Sequence, residues 1–248
     1  MLPAERHIKI IEIISETGSA GVEQLSKILD VSSMTIRRDL KLLQEHNLIE
    51  RSHGGAIMKQ EVNYGTKRDT KHTEKLAIAK KCAGFVKKGD TLYLDAGTTT
   101  YEIANQIKHI EDLTVITNDL EIAILLVNSE VDLLVCGGNV QKSTRSMYGM
   151  FADQMIENLR IDLGFFGAMS IDNNYNILTP TIEKASFKRT VLNNCGRSIL
   201  AVDDSKFNRK ALLKINNLRD YTGVVTNKTF SKEELKKMET SNIRLIVV

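Results

Sequence analysis

The sequence predicts an α/β protein in two parts, a winged helix-turn-helix at the N-terminus and a larger α/β domain behind it. Three observations carry this reading. Residues 22–43 hold two short helical segments with apolar stripes and a tight turn between them, the pattern of a helix-turn-helix. The run Ser52-His53-Gly54-Gly55 follows directly, and its glycines permit the positive φ that a hairpin tip needs. From about residue 74 onward, short apolar runs alternate with helical patterns, which argues a mostly parallel sheet with helices on its faces.

In chain order, Arg6 to Thr17 places Ile10, Ile11, Ile13 and Ile14 in helical register and stops at Gly18, a C-cap residue by type. Val22 to Leu29 is the next helix, with Val22, Leu25 and Ile28 or Leu29 inward, and Asp30 to Ser32 is the turn. Ser32 or Ser33 can cap the following helix by accepting one of its first free N–H groups. There Ile36, Leu40 and Leu43 recur at helical spacing, leaving Met34, Arg38 and Lys41 on the opposite face and Arg37 on its flank. Leu48 to Arg51 and Ala56 to Met58 flank the hairpin tip as a wing, and the domain is expected to close at residue 58. Residues 59–73 are polar and charged, so a linker is expected, its Lys67, Arg68, Lys71 and His72 solvated. Residues 74–248 form the second domain: helical at 74–86, 101–107 and 120–127, and extended at 91–94, 113–117, 131–136, 162–166, 198–202, 223–226 and 243–248. These strands are short and apolar, as burial on both faces requires.

A chain of 248 residues with 42% hydrophobic content can bury a substantial core. The net charge of +3 is small, and Glu12, Glu16, Glu23 and Asp30 offset the bases of the first sixty residues. A nucleic-acid footprint must then be a local stripe, which argues against a nonspecific DNA coat. Cys82, Cys136 and Cys195 are odd in number and widely spaced, without a CxxC, and read as free core thiols in a reducing compartment. The N-terminal apolar stretch carries internal charge and no small-residue cleavage site, so it reads as a helix and not as a signal peptide. No apolar run approaches the roughly 20 residues of a membrane span, and a cytoplasmic protein is expected.

An Arg-Arg pair on a helix is ordinarily a solvated face, but here it occupies the recognition position of a helix-turn-helix. TIRRDL followed by a wing ending in HGGA resembles the DeoR family of bacterial transcriptional regulators. The resemblance implies that Ser33, Thr35, Arg37, Arg38 and Lys41 face the major groove of double-stranded operator DNA, and that Arg51 and His53 lie near its backbone or minor groove.

In an open α/β sheet, ligands bind beyond the carboxyl ends of the strands. Thr91 to Leu94 is followed there by Asp95-Ala96-Gly97-Thr98-Thr99-Thr100 and a helix. Gly97 would let the backbone turn closely, and three hydroxyls and the helix's first N–H groups converge on one point. That describes a phosphate cradle without a Walker lysine, or else a strand-to-helix turn that one threonine caps. Other strand ends are polar as well: Asn118-Asp119, Gly137-Gly138-Asn139 and Asp203-Asp204-Ser205-Lys206. DAGTTT, ITN, CGG and DDSKF also resemble the DeoR effector domain. This implies a fold related to ribose-5-phosphate isomerase and a phosphorylated sugar as ligand. By that likeness Thr98, Thr99 and Thr100 hold the phosphate, Asp95, Gly97, Asn118 and Gly138 line the pocket, and Glu183, Lys188, Asp203 and Lys206 approach the sugar. Ala168-Met169-Ser170 and Asn174 to Leu178 depart from the commoner family wording, and both bear on pocket shape.

The favoured function is a regulator, most simply a repressor of a carbohydrate-metabolism operon. No metal, cofactor or catalytic residue is expected, and a homodimer or homotetramer held by the second domain is. The alternative is a sugar-phosphate isomerase with an appended DNA module, in which Glu183 with Lys188 or Lys206 would move the proton. A DNA-architectural protein fits poorly with the modest charge.

Overall fold

A computed structural model describes residues 2–17, 19–45, 49–52, 54–58 and 64–248. The N-terminal part consists of helix α1 (Pro3–Thr17), strand β1 (Ser19–Gly21), helices α2 (Val22–Leu29) and α3 (Ser33–Glu45), and strands β2 (Ile49–Ser52) and β3 (Gly55–Met58). The wing is a three-stranded antiparallel sheet in the order β1-β3-β2. The expected hairpin thus gains a third strand, too short at three residues to stand out in the sequence. Ile10, Ile14, Val22, Leu25, Leu29, Ile36, Leu40, Leu43 and Ile49 form one buried cluster. Leu29, not Ile28, is the inward residue of α2, since Ile28 is largely exposed. The expected C-cap at Gly18 and the residues 46–48 before the wing lie outside the described residues.

Apolar packing does not hold α3 alone. Asp39 is buried on its inner side and accepts hydrogen bonds from Arg6 Nε (2.6 Å), Arg6 Nη2 (3.0 Å) and His7 Nε2 (2.9 Å) of α1. Burial alone would raise its carboxyl, but Arg6 and His7 outweigh burial and hold it below the usual range. Replacing Asp39 with alanine is expected to destabilise the winged helix by roughly 1.5–3 kcal/mol, the scale of hydrogen bonds to charged groups. The carboxylate's contribution is present above about pH 4 and is lost as pH falls through the lowered folded value. Urea melts of wild type and D39A at pH 7 and pH 3 test this: the gap between the two proteins must shrink at the lower pH.

Residues 64–73 are helical and anchored, unlike the linker expected of them, although Arg68 and His72 are exposed as expected. Helix α4 (Tyr64–Asp69) and the first turn of helix α5 (His72–Ala83) occupy this stretch, and Tyr64 is 2% exposed. Its ring under the Arg145 guanidinium (5.2 Å) supplies the apolar anchor that the charged composition masks. Residues 59–63 of the expected linker lie outside the described residues.

The second part continues with β4 (Thr91–Leu94), α6 (Thr98–Ile107), β5 (Thr114–Thr117), α7 (Leu120–Leu126), β6 (Asp132–Val135), β7 (Asn139–Gln141), β8 (Ser146–Tyr148), α8 (Met150–Glu157), β9 (Ile161–Phe166), β10 (Ser170–Ile171), β11 (Asn176–Thr179), α9 (Ile182–Asn193), β12 (Cys195–Ala201), β13 (Leu213–Asn217), β14 (Gly223–Thr226), α10 (Lys232–Thr240) and β15 (Leu245–Val247). Seven of these strands form a parallel sheet in the order β15-β14-β12-β9-β4-β5-β6. Strand alternation divides the core: Leu92, Leu94, Leu163, Phe165 and Ile199 pack with Ile78, Ile103 and Ile122 of α5, α6 and α7. Tyr93, Phe166, Leu200 and Val224 pack on the other face with Ile156, Phe187 and Met238 of α8, α9 and α10. The result is a sheet between two helical layers.

Two smaller antiparallel units, β7-β8 and β10-β11-β13, stand beside the main sheet. The two edge strands depart from the expected two-sided burial, and Val247 of β15 is 57% exposed. Strand β6 is an edge, and its Leu134 and Val135 are more than a third exposed. Among the described residues no helix is long and apolar enough to cross a membrane.

Candidate functional site

The outer face of α3 is built by its cap and its turn. Asp30 ends α2 in the left-handed region at φ 51°, and Ser26 Oγ donates to Val31 O at 2.6 Å, closing the turn. Ser32 Oγ accepts from Thr35 N at 3.1 Å, so Ser32 and not Ser33 is the cap. Ser33 instead donates to Glu23 Oε1 at 3.0 Å, tying α3 to α2. Met34, Arg37, Arg38 and Lys41 are exposed on one side, with Thr35 half-buried beside them. Arg51 is exposed on β2 opposite Ala56, and His53 lies outside the described residues.

The second site follows from sheet order. Strand β4 leads outward to β5 and β6, and the chain then returns across the sheet to β9 on the other side of β4. The crevice beyond the carboxyl ends of β4 and β9 is therefore the topological switch point, where open α/β sheets bind ligands. Asp95 leaves β4 and Gly167 leaves β9 at that point. Asp95 Oδ2 accepts from Gly167 N at 2.9 Å and from Lys188 Nζ of α9 at 2.5 Å. Lys188 also donates to Gly167 O at 2.7 Å. Both side chains are buried, and Asp95 Oδ1 has no hydrogen-bond partner.

Beside this pair, Gly97-Thr98-Thr99-Thr100 enters the first turn of α6. Thr100 Oγ1 donates inward to Asp95 O (2.5 Å) and Gly97 O (2.8 Å). The Gly97 N–H donates to Asp119 Oδ2 at 3.0 Å, while Asp119 Oδ1 accepts from Glu121 N (2.7 Å) and Ile122 N (3.1 Å) as the cap of α7. Burial pushes the Asp119 carboxyl up to about 7 against the pull of these three amides. On the next strand end Asp203 is buried, with Lys206 Nζ 3.6 Å from its Oδ2 and Ser205 bonded to its Oδ1. Burial would raise Asp203, but Lys206, Ser205 and Lys75 together hold it below the usual range. Lys75 of α5 faces the same acid from a 3% exposed position.

Two family descriptions match the chain, a DeoR-like helix-turn-helix domain over residues 6–62 and a DeoR C-terminal sensor domain over residues 70–228. The chain belongs to the DeoR family. An uncharacterised HTH-type transcriptional regulator of Haemophilus influenzae is 34% identical over 100% of this chain and 98% of its own length. The HTH-type transcriptional regulator GlpR of Haloferax volcanii is 31% identical over 99% and 98%, and the glycerol-3-phosphate regulon repressor of Escherichia coli is 32% identical over 92% of each. A solved D-ribose-5-phosphate isomerase in complex with phospho-erythronic acid is similar over 55% of this chain and 54% of its own, at 18% identity and a TM-score of 0.41. As a DeoR-family member the chain is a DNA-binding transcriptional regulator and not an enzyme.

Of the groups named for the isomerase alternative, Glu183 and Lys188 do not face one another. Glu183 is exposed in the first turn of α9, and Lys188, five residues on, lies about 140° around the helix axis with its amine bonded to Asp95 and Gly167. Several residues expected in this DeoR-type pocket prove to be scaffold. Asn118 accepts from Tyr93 Oη (2.9 Å) and donates to Met147 O (3.0 Å), so it joins β5 to its surroundings instead of facing outward. Thr100 is likewise turned inward. Gly138, at φ 140°, is needed because a Cβ there would meet Tyr148 O at 2.4 Å. Gly97 is corrected in the other sense: its φ of 161° is extended backbone, and a Cβ would meet only Thr100 Oγ1 at 3.6 Å, so the turn itself does not demand glycine. Thr99 is 8% exposed.

The sequence places Asp119 only in a polar strand end and does not single out Lys75. Asp119 had a signal, since an aspartate after a strand and before an apolar helix is an N-cap by type. Lys75 had none that set it apart from its neighbouring lysines. Among the described residues no group of three or more His, Cys, Asp or Glu is placed to hold a metal ion.

Proposed function

We propose that this regulator is a repressor of a carbohydrate-metabolism operon, and that a phosphorylated sugar seated at the β4/β9 switch point controls it. The carrying observation is the loop 95–100. It sets a helix N-terminus and the hydroxyls of Thr98 and Thr99 beside a buried Asp95–Lys188 pair, with Lys206 on the next strand end and Lys75 of α5 facing the same Asp203. A Cβ at Gly97 would meet only Thr100 Oγ1 at 3.6 Å, and its absence lets a ligand approach the backbone closely. Asp95 and Lys188, with Asp203 and Lys206, would meet the sugar end. The names of the relatives, including a putative aga operon repressor of Escherichia coli O157:H7, support the same class. On the DNA side, Ser33, Thr35, Arg37, Arg38 and Lys41 would enter the major groove, two copies serving the two halves of an operator. The ligand must bind one DNA-affinity state better than the other, since equal affinity shifts nothing.

Thr99→Asp tests the cradle and Thr99→Asn is its control of the same shape. Position 99 is the second residue of α6, where a carboxylate favours the helix, so both variants should fold. Calorimetry with a panel of sugar phosphates is expected to show wild-type binding, weakened binding to T99N and none to T99D, because like charges exclude the phosphate. Ligand at 100 times its Kd should also stabilise the wild type by about 2.7 kcal/mol. Wild-type affinity in T99D would remove the phosphate from this loop.

A further inference from the structure

The segment that joins the two parts is fastened to the loops of the proposed sugar-phosphate site. Helix α4 begins with Tyr64, whose N–H donates to Ser143 O at 2.9 Å. Its Arg68 guanidinium lies 4.8 Å over the Tyr101 ring of α6. The elbow between α4 and α5 puts Lys71 in the left-handed region at φ 56°, a conformation uncommon outside glycine. Ion pairs to Glu74 (3.0 Å) and to Asp204 (3.3 Å), on the loop after β12, hold it there.

Lys75 sits at the centre of these contacts. Its buried ammonium donates to the backbone carbonyls of Lys67 and Thr70, the latter at 2.5 Å. The Lys67 carbonyl is also the acceptor for Thr98 Oγ1 at 3.5 Å, so connector, α5 and cradle loop share one oxygen. Burial, with Lys206 nearby, presses the Lys75 amine down to about 8, and Asp203 and Glu102 only partly offset this. The bonds to the carbonyls are charge-assisted on the donor side alone, whereas a phosphate oxygen would add an opposite charge that a carbonyl lacks.

We propose that Lys75 is a latch between effector and connector: a phosphate on the loop 97–100 draws off its ammonium and the Thr98 hydroxyl, and so releases the Lys67 and Thr70 carbonyls and helix α4. The proposal rests on the phosphate reading above and adds how occupancy reaches the segment that leads to the DNA-binding domain. No new contact to DNA is required, only a change in how firmly residues 64–71 are held.

Hydrogen–deuterium exchange on the full chain, with inorganic phosphate as the probe, separates the two ideas. In the wild type, phosphate should protect the amides of residues 97–101 and speed exchange in residues 65–71 by roughly 5–30-fold, the factor for one or two kcal/mol. Lys75→Met should show the fast connector without phosphate, with no further change when phosphate is added. A protected loop with an unchanged connector overturns the latch and leaves the phosphate site standing. A loop that phosphate does not protect overturns the phosphate reading and the latch with it. The wild-type measurement decides the matter even if K75M fails to fold.

Discussion

Lys188→Met is expected to lower the stability of the effector domain by about 3–5 kcal/mol, because removing one partner of a buried ion pair strands the other. The stranded group is Asp95, which is fully buried and has one oxygen already without a partner. Methionine keeps the length of the side chain, so the loss reports charge and hydrogen bonding and not a cavity. Adding Asp95→Asn to Lys188→Met should recover most of the loss, since replacing both members of a buried pair is often near neutral. Guanidinium melts of the two variants against wild type measure this directly. A single-variant loss below about 1 kcal/mol, the range of exposed pairs, would show the pair to be solvated and would weaken the case for a preformed charged crevice.

Arg38→Ala is expected to reduce operator affinity by about 1–3 kcal/mol if the guanidinium reads a base, with the fold unchanged because the side chain projects away from Ile36, Leu40 and Leu43. If it contacts a phosphate instead, affinity falls evenly across sequences and the salt dependence of binding loses about one unit of slope. Gel-shift titrations on operator and scrambled DNA at two salt concentrations distinguish these cases. Affinity equal to wild type on both DNAs would take Arg38 out of the recognition face.

Much of the architecture was legible because periodicity reports burial. The strands at 91–94 and 223–226 fall where their apolar runs place them, and the helical spacing of Ile36, Leu40 and Leu43 marks the inner face of α3. What escaped was structure stabilised by partners distant in sequence. The segment 64–73 reads as a solvated linker, since only the fold brings Arg145 over Tyr64 and Asp204 to Lys71. Single residues in the site misled for a related reason. Asn118 and Thr100 carry groups suited to a ligand, yet their hydrogen-bonding capacity is satisfied by Tyr93, Met147 and the loop's own carbonyls. Composition names the chemistry present at a strand end, while direction is set by neighbours that sequence does not place.

The Arg6–Asp39–His7 clamp lies on the side of α3 that faces α1. The clamp is thus separate from the outward Met34, Arg37, Arg38 and Lys41, while Ser33 stays bonded to Glu23 of α2, so the scaffold can be readdressed. Exchanging the outward residues Met34, Arg37, Arg38 and Lys41 for those of another regulator leaves Asp39 and the apolar stripe untouched. Operator preference can then diverge between copies of this domain at little cost in folding, and grafting that outward set is the shortest route to a regulator that answers the same effector at a different promoter.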